Sequence, residues 1–303
     1  MRDSVGKILV AVDSSEGSEL AARAAADLSS RLGAELHVAH VWQDIRSARL
    51  QSFVRRELER VGREVLDERV REIESGGTEV AGAHLRMGRA SDTVLALAGE
   101  ISADLIVVGS REMGQTKRLI LGSVSEGILN GSTEPVLVVR GGLWPPKRLV
   151  IGDDGSAAAN QAGELALEIA GVLGLDALLV RAYQEPPVPP RGWSPEEASE
   201  LDAVRLAEEE AASRRAEELG ALAGGPEPRA SFVVEDPAKA ILDAAGEDEG
   251  TLIALGSRGL GTVRRMMLGS VSQKVLRSAY GPVLVCSGPP DSSGADPQAA
   301  PGD

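Results

Sequence analysis

Apolar residues recur along this chain in two alternating rhythms. Short runs rich in Val, Ile and Leu, apolar on both faces, fall at Lys7–Val12, Ala34–Trp42, Thr78–Leu85, Asp104–Val108 and Pro135–Val139. Runs of that kind are the signature of strands in a parallel sheet covered on both faces. Between them lie stretches with helical spacing. Ser15–Leu32 carries Ala and Leu at that spacing and stops at Gly33, a C-cap signal. Ser52–Ser75 sets Val54, Leu58, Val61, Val65 and Ile73 on or near one face, and Ser91–Ile101 and Ser123–Asn130 complete the set. Strands alternating with helices predict a doubly wound α/β architecture.

The pattern then starts again. Strands are expected at Arg148–Gly152, Ala177–Tyr183, Arg229–Val234, Thr251–Leu255 and Pro282–Cys286, with a long helix over Glu196–Leu219 and a last one over Val271–Tyr280. The match is also residue by residue. Asp13-Ser-Ser15 returns as Asp154-Gly-Ser156, 141 positions later. Leu121-Gly-Ser-Val-Ser125 returns as Leu268-Gly-Ser-Val-Ser272, and Pro135-Val-Leu-Val as Pro282-Val-Leu-Val, both 147 positions later. The extra residues belong in the Pro-rich segment 186–195. Three ordered matches predict a tandem duplication, with domains at 1–141 and 147–288. Gly141 to Pro146 is a short link stiffened by two prolines, and the Pro, Gly, Ser and Asp tail 289–303 reads as disordered.

Composition narrows the class. With 43% apolar but 2% aromatic residues, both cores must be aliphatic. A formal charge of −14 argues against a nucleic-acid binder and against an acidic membrane surface. Neither a signal peptide nor a membrane span is expected, and the single cysteine, Cys286, allows no internal disulfide. A cytoplasmic protein is the expectation.

The chemistry concentrates at 256–272. A glycine-rich turn between a strand and a helix lets backbone N–H groups approach an anion, and the helix adds its positive end. The spacing is Gly-x2-Gly-x9-Gly-Ser, met by Gly256, Gly259, Gly269 and Ser270. With Asp154-Gly-Ser156 and the closing Gly281-Pro-Val-Leu-Val285, it resembles the nucleotide-binding universal stress proteins. The resemblance covers both copies. It implies in each a five-stranded parallel sheet of the adenine nucleotide alpha hydrolase-like kind, with ATP, alone or with Mg2+, at the carboxyl ends of the strands. By match, the first-strand aspartate and the backbone of the second strand hold base and ribose: Asp154 and Ala182 in the second copy, Asp13 and Val41 in the first. Asp153 lies beside Asp154, so the match could slip by one; Gly155-Ser156 favours Asp154. The phosphate side comprises Gly256, Gly259, Gly269, Ser270, Val271 and Ser272, or, more weakly, Gly109, Gly122, Ser123, Val124 and Ser125. Cyclic AMP stays open as the ligand.

The copies are unequal. Glu112 stands where the second copy has Gly259. A carboxylate ~4 Å from a phosphate charge costs ~1–4 kcal/mol, about tenfold or more in affinity. The first copy keeps a basic pair, Lys117-Arg118 against Arg264-Arg265, which reads equally well as surface charge. In turn the second copy has Arg181 for His40, Glu235 for Gly88 and Thr251 for Asp104. The expectation is that the second domain holds ATP and the first binds weakly or not at all.

An enzyme is not indicated. All three histidines, His37, His40 and His84, fall in the first copy, so no Ser-His-Asp set can form in the second. His37 and His40 should face opposite sides of a strand and share no metal. No Walker-type Gly-Lys-Ser/Thr occurs. The leading reading is a regulatory nucleotide binder that engages protein partners it does not itself identify. An interaction scaffold and a slow ATPase are the alternatives. The family's pairing through its closing strand implies that 136–139 pairs with 283–286 within the chain.

Overall fold

The computed structural model describes residues 5–43, 51–110, 121–141, 143–186, 188, 191–223, 225–257 and 268–288. The first half runs β1 (Lys7–Val12), α1 (Glu16–Leu32), β2 (Glu35–Trp42), α2 (Gln51–Ser75), β3 (Gly82–Met87), α3 (Ala90–Ile101), β4 (Leu105–Gly109), α4 (Ser123–Gly131) and β5 (Val136–Val139). The second repeats it as β6 (Arg148–Asp153), α5 (Ala157–Leu173), β7 (Asp176–Tyr183), α6 (Pro195–Ala223), β8 (Arg229–Val234), α7 (Pro237–Ala245), β9 (Thr251–Gly256), α8 (Ser270–Ser278) and β10 (Val283–Cys286).

The same local devices start and stop equivalent helices. Ser15 and Ser156 cap α1 and α5, accepting from the amides of Ser18 and Ala159. Gly33 and Gly174 end them in the left-handed region, each at φ 69°, where a Cβ would be strained.

Ten strands form one sheet in the order β3-β2-β1-β4-β5-β10-β9-β6-β7-β8. All neighbours are parallel except β5 and β10, which pair antiparallel with Val138 opposite Val283, Leu137 opposite Leu284 and Val136 opposite Val285. Residues 136–139 and 283–286 thus meet within the chain, and the apolar edge each half would expose alone becomes the middle of the sheet. Both strands are buried throughout, whereas the outer strands β3 and β8 are largely half-exposed.

Two aliphatic cores follow. One lies under α1, α2, α5 and α6, and the other under α3, α4, α7 and α8; each runs across both halves. Polar bonds also cross the seam: Val5 N donates to Glu168 Oε1 at 3.3 Å, and Arg31 Nη1 to the Val172 carbonyl at 3.1 Å.

Some boundaries differ from the periodicity. β3 starts at Gly82, not Thr78, because Thr78 is still tied to the preceding helix and to α1: its amide donates to Ile73 O and its hydroxyl meets Ser30 Oγ at 2.9 Å. α6 continues to Ala223, past Leu219. α8 stops at Ser278, two residues early, because Ala279 turns to extended backbone at ψ 139°.

Candidate functional site

At the carboxyl edge of the first half's strands lies a cleft of about 240 Å³, bounded by Ala11, Asp13, Val41, Gly109, Gly122 and Val124. Asp13 follows the last residue of β1. Its carboxylate accepts from the Ser15 amide (2.9 Å) and hydroxyl (2.5 Å), and its amide donates to Ser18 Oγ at 2.8 Å. These bonds fix the turn into α1. Opposite stands the N-terminus of α4. Its N-cap, Gly122, has no side chain to bond the first-turn amides, and the first intrahelical bond is Glu126 N to Gly122 O at 2.8 Å. Among the described residues no side chain caps the amides of Ser123, Val124 and Ser125, and the positive end of the helix lies behind them.

The second half is built alike. Pairing of Asp153 with Arg181 in β6–β7 matches pairing of Val12 with His40 in β1–β2, so Asp154 occupies the position of Asp13. Its carboxylate accepts from Ser156 N at 3.0 Å, as Asp13 does from Ser15. Asp153 is buried and bonds Arg181 Nη1 at 2.6 Å. Arg181 Nε reaches Glu208 Oε2, also at 2.6 Å. α8 opens on Gly269, again with no side-chain cap, and Gly269 N donates to Ser257 O at 2.7 Å.

Several site residues have jobs in the protein itself. Ser125 Oγ donates to Gly109 O at 2.8 Å, and Ser272 Oγ to Gly256 O at 2.7 Å, so these hydroxyls tie the helix to the strand. The lack of a Cβ at Gly109 and Gly256 serves packing and not only approach to an anion. A Cβ at Gly109 would lie 2.3 Å from the Gly17 carbonyl oxygen, and one at Gly256 would lie 2.7 Å from the Ala159 amide. Glycine there lets the first turn of α1 or α5 rest on the strand end.

The cleft floors differ. Gly152 replaces Ala11, and a Cβ on it would meet Ile241 Cδ1 and Leu255 Cδ2 at 2.6 Å each. The first half has the smaller Val94 and Val108 in those places, both lining its cleft. Gly259, Glu112, Lys117, Arg118, Arg264 and Arg265 lie outside the described residues.

One further difference noted in the sequence, Thr251 for Asp104, is set away from the cleft. Asp104 accepts from the Gly6 and Lys7 amides at 2.9 Å at the start of β1, and Thr251 Oγ1 accepts from Arg148 Nε at 2.7 Å. The histidines are bonded. His40 Nδ1 lies 2.8 Å from Val12 O. His37 and His84 pack with ring centroids 5.3 Å apart and nitrogens 3.0 Å apart, a pair that strand periodicity did not reveal. Burial, then His37, then Arg86 hold His84 below the usual histidine range. Among the described residues no group of three or more His, Cys, Asp or Glu could hold a metal ion, and no helix is long and apolar enough to cross a membrane.

The Universal stress protein family model matches residues 4–140 and again 146–287. A universal stress protein of Mycolicibacterium smegmatis is 34% identical over 195 residues, which is 61% of this chain and 62% of that relative, so less than two thirds of its length is spanned. One from Thermus aquaticus is 40% identical over 141 residues, 46% of this chain and 97% of its own. Among solved structures, a universal stress protein from Archaeoglobus fulgidus is 26% identical with a TM-score of 0.69, covering 93% of this chain and 98% of its own. The chain therefore belongs to the universal stress protein family and carries two such domains in tandem.

Proposed function

We propose that this chain is an adenine-nucleotide-binding regulatory protein of the stress response, acting in the cytoplasm, with ATP as its ligand. The observation that carries the reading is the cleft of about 240 Å³, which has a fixed carboxylate at one end and the N-terminal amides of α4 at the other. The residues present fit such a ligand. Asp13 and the Val41 backbone would take ribose and base. Gly109, Gly122, Ser123, Val124 and Ser125 would take phosphates through their amides. In the second half the same roles fall to Asp154 and Ala182, and to Gly256, Gly259, Gly269, Ser270, Val271 and Ser272. A bound nucleotide would act by its differential affinity for two states of the protein, and so on its choice of partner.

The halves divide the ligand's needs. At the base end the first half presents Ala11, Val94 and Val108 where the second presents Gly152, Ile241 and Leu255. The second has the uninterrupted glycines and lacks Glu112, so it is the tighter site for a triphosphate. ATP then prefers the second half.

Native mass spectrometry of the purified chain reads nucleotide identity and stoichiometry together. Calorimetry then compares Glu112→Gly, expected to raise first-half ATP affinity about tenfold by removing the repulsion, with Gly259→Glu, expected to lower the second half's by a similar factor. No binding of ATP or cyclic AMP to the wild-type chain would leave the scaffold reading. Phosphate release that Gly259→Glu abolishes would leave the ATPase reading.

A further inference from the structure

The two helices that face the clefts end differently, and in each case the other half supplies the end. Just past β10, Ser287 Oγ donates to the carbonyl of Ser132, the C-cap of α4, at 2.9 Å. The corresponding residue just past β5 is Arg140. Its Nη1 donates to the carbonyls of Leu276 at 2.5 Å and Ala279 at 3.2 Å, at the C-terminal end of α8. Arg140 is 1% exposed. Among the described residues its Nε and Nη2 have no partner, and no carboxylate is paired with it. Burial lowers its pKa to about 10, so the charge persists at neutral pH. The first half also touches the other end of α8: Leu268 N, directly before N-cap Gly269, donates to Asn130 Oδ1 at 3.4 Å.

We propose that Arg140, a residue of the first half, is a positioning and selectivity residue for phosphate binding in the second half. The inference rests on the reading that nucleotide phosphates sit at the N-terminus of α8. That helix has nine residues and is about 13 Å long. A buried cation on its negative end fixes the helix and adds positive potential along its axis, with little screening by salt. At the end of α4 that place is taken by neutral Ser287, supplied by the second half, so the buried cation sits on the cleft helix of the second half alone. The ligand class it favours is defined by charge: the second half's advantage grows with the number of phosphates and vanishes for adenosine.

Hydrogen exchange of the full-length chain, titrated with ATP and with adenosine, reads the halves separately through residues 122–131 and 269–278. Arg140→Gln keeps a donor but removes the charge, and should weaken ATP at 269–278 about fivefold to tenfold. It should leave adenosine and the first half unchanged, while Arg140→Lys should stay within about twofold of wild type. An unchanged ATP affinity in Arg140→Gln, or an equal loss in both halves or for both ligands, overturns the proposal. Should Arg140→Gln fail to fold, Glu112→Gly decides with Arg140 intact. A remaining ATP-specific preference for 269–278 supports the proposal, and its loss overturns it. ATP protection confined to 122–131 overturns the inference and leaves nucleotide binding standing, whereas no protection in either half removes both.

Discussion

Gly109 and Gly256 show how one residue type answers two demands. Each belongs to a glycine motif that suits an anion, yet the contact a Cβ would break is with the protein's own backbone. Gly109→Ala should therefore destabilise the chain before any ligand is added, by about 1–3 kcal/mol as overpacking does. Gly256→Ala should cost less, because its nearest clash is 2.7 Å against 2.3 Å. Urea denaturation of the ligand-free variants checks both the sign and the order. His84 gives a pH signature. Burial first, then His37 and Arg86, with Glu100 opposing, lower its folded pKa below the ordinary 6.5. The unfolded chain thus takes up the proton at higher pH than the folded one. The stability from keeping His84 neutral is present above about pH 6.5 and is lost as pH falls through the folded pKa. His84→Gln should flatten the fall in melting temperature between about pH 7 and 5. A wild-type slope in the variant would contradict this.

At the scale of elements, what was legible followed from how strongly burial constrains each segment. Strands buried on both faces, such as β4 and β9, appear as unbroken aliphatic runs and were placed to within a residue. The start of β3 was not legible, because Thr78 is as β-prone as the strand it precedes and only its bonds to α1 and α2 hold it outside the sheet. The His37–His84 pair depends on the β2–β3 register, which sets His37 beside Gly82 and Ala39 beside His84, and no local pattern encodes that. The burial of Arg140 was not legible, because arginine is seldom buried and nothing in the local pattern after β5 marks this one as internal. Asp104 looked like a difference between sites, yet its carboxylate binds the amides that open β1. The tie between strand and cleft helix was hidden in the Gly-Ser-Val-Ser repeat, where the second serine, not the first, bonds the strand. Ser125→Ala or Ser272→Ala should each cost about 1 kcal/mol, as loss of one buried hydrogen bond does. Amide exchange in the first turn of α4 or α8 should quicken in the matching variant alone.

At the scale of the whole molecule, the seam carries its own prediction. β5 pairs with its own repeat: Leu137 lies opposite Leu284, the same position 147 residues on, with valines on either side. An approximate two-fold axis therefore passes through that leucine pair, and the surface each half presents there is nearly self-complementary. Residues 1–141 expressed alone would expose Val136, Leu137 and Val138 as an unpaired apolar strand, together with the cut surface of both cores. Such an edge pairs. A second copy can supply Leu137 opposite Leu137 and Val136 opposite Val138, in the register the intact chain uses. Arg140 of each copy would then meet the end of its partner's α4, where Ser287 stands in the full chain. The expected product is a symmetric dimer, read as twice the fragment mass by light scattering. Leu137→Glu, which sets like charges against each other on the axis, should give monomer or aggregate. A folded, monomeric wild-type fragment would show that the seam is held by the link at 141–147 and not by the strands.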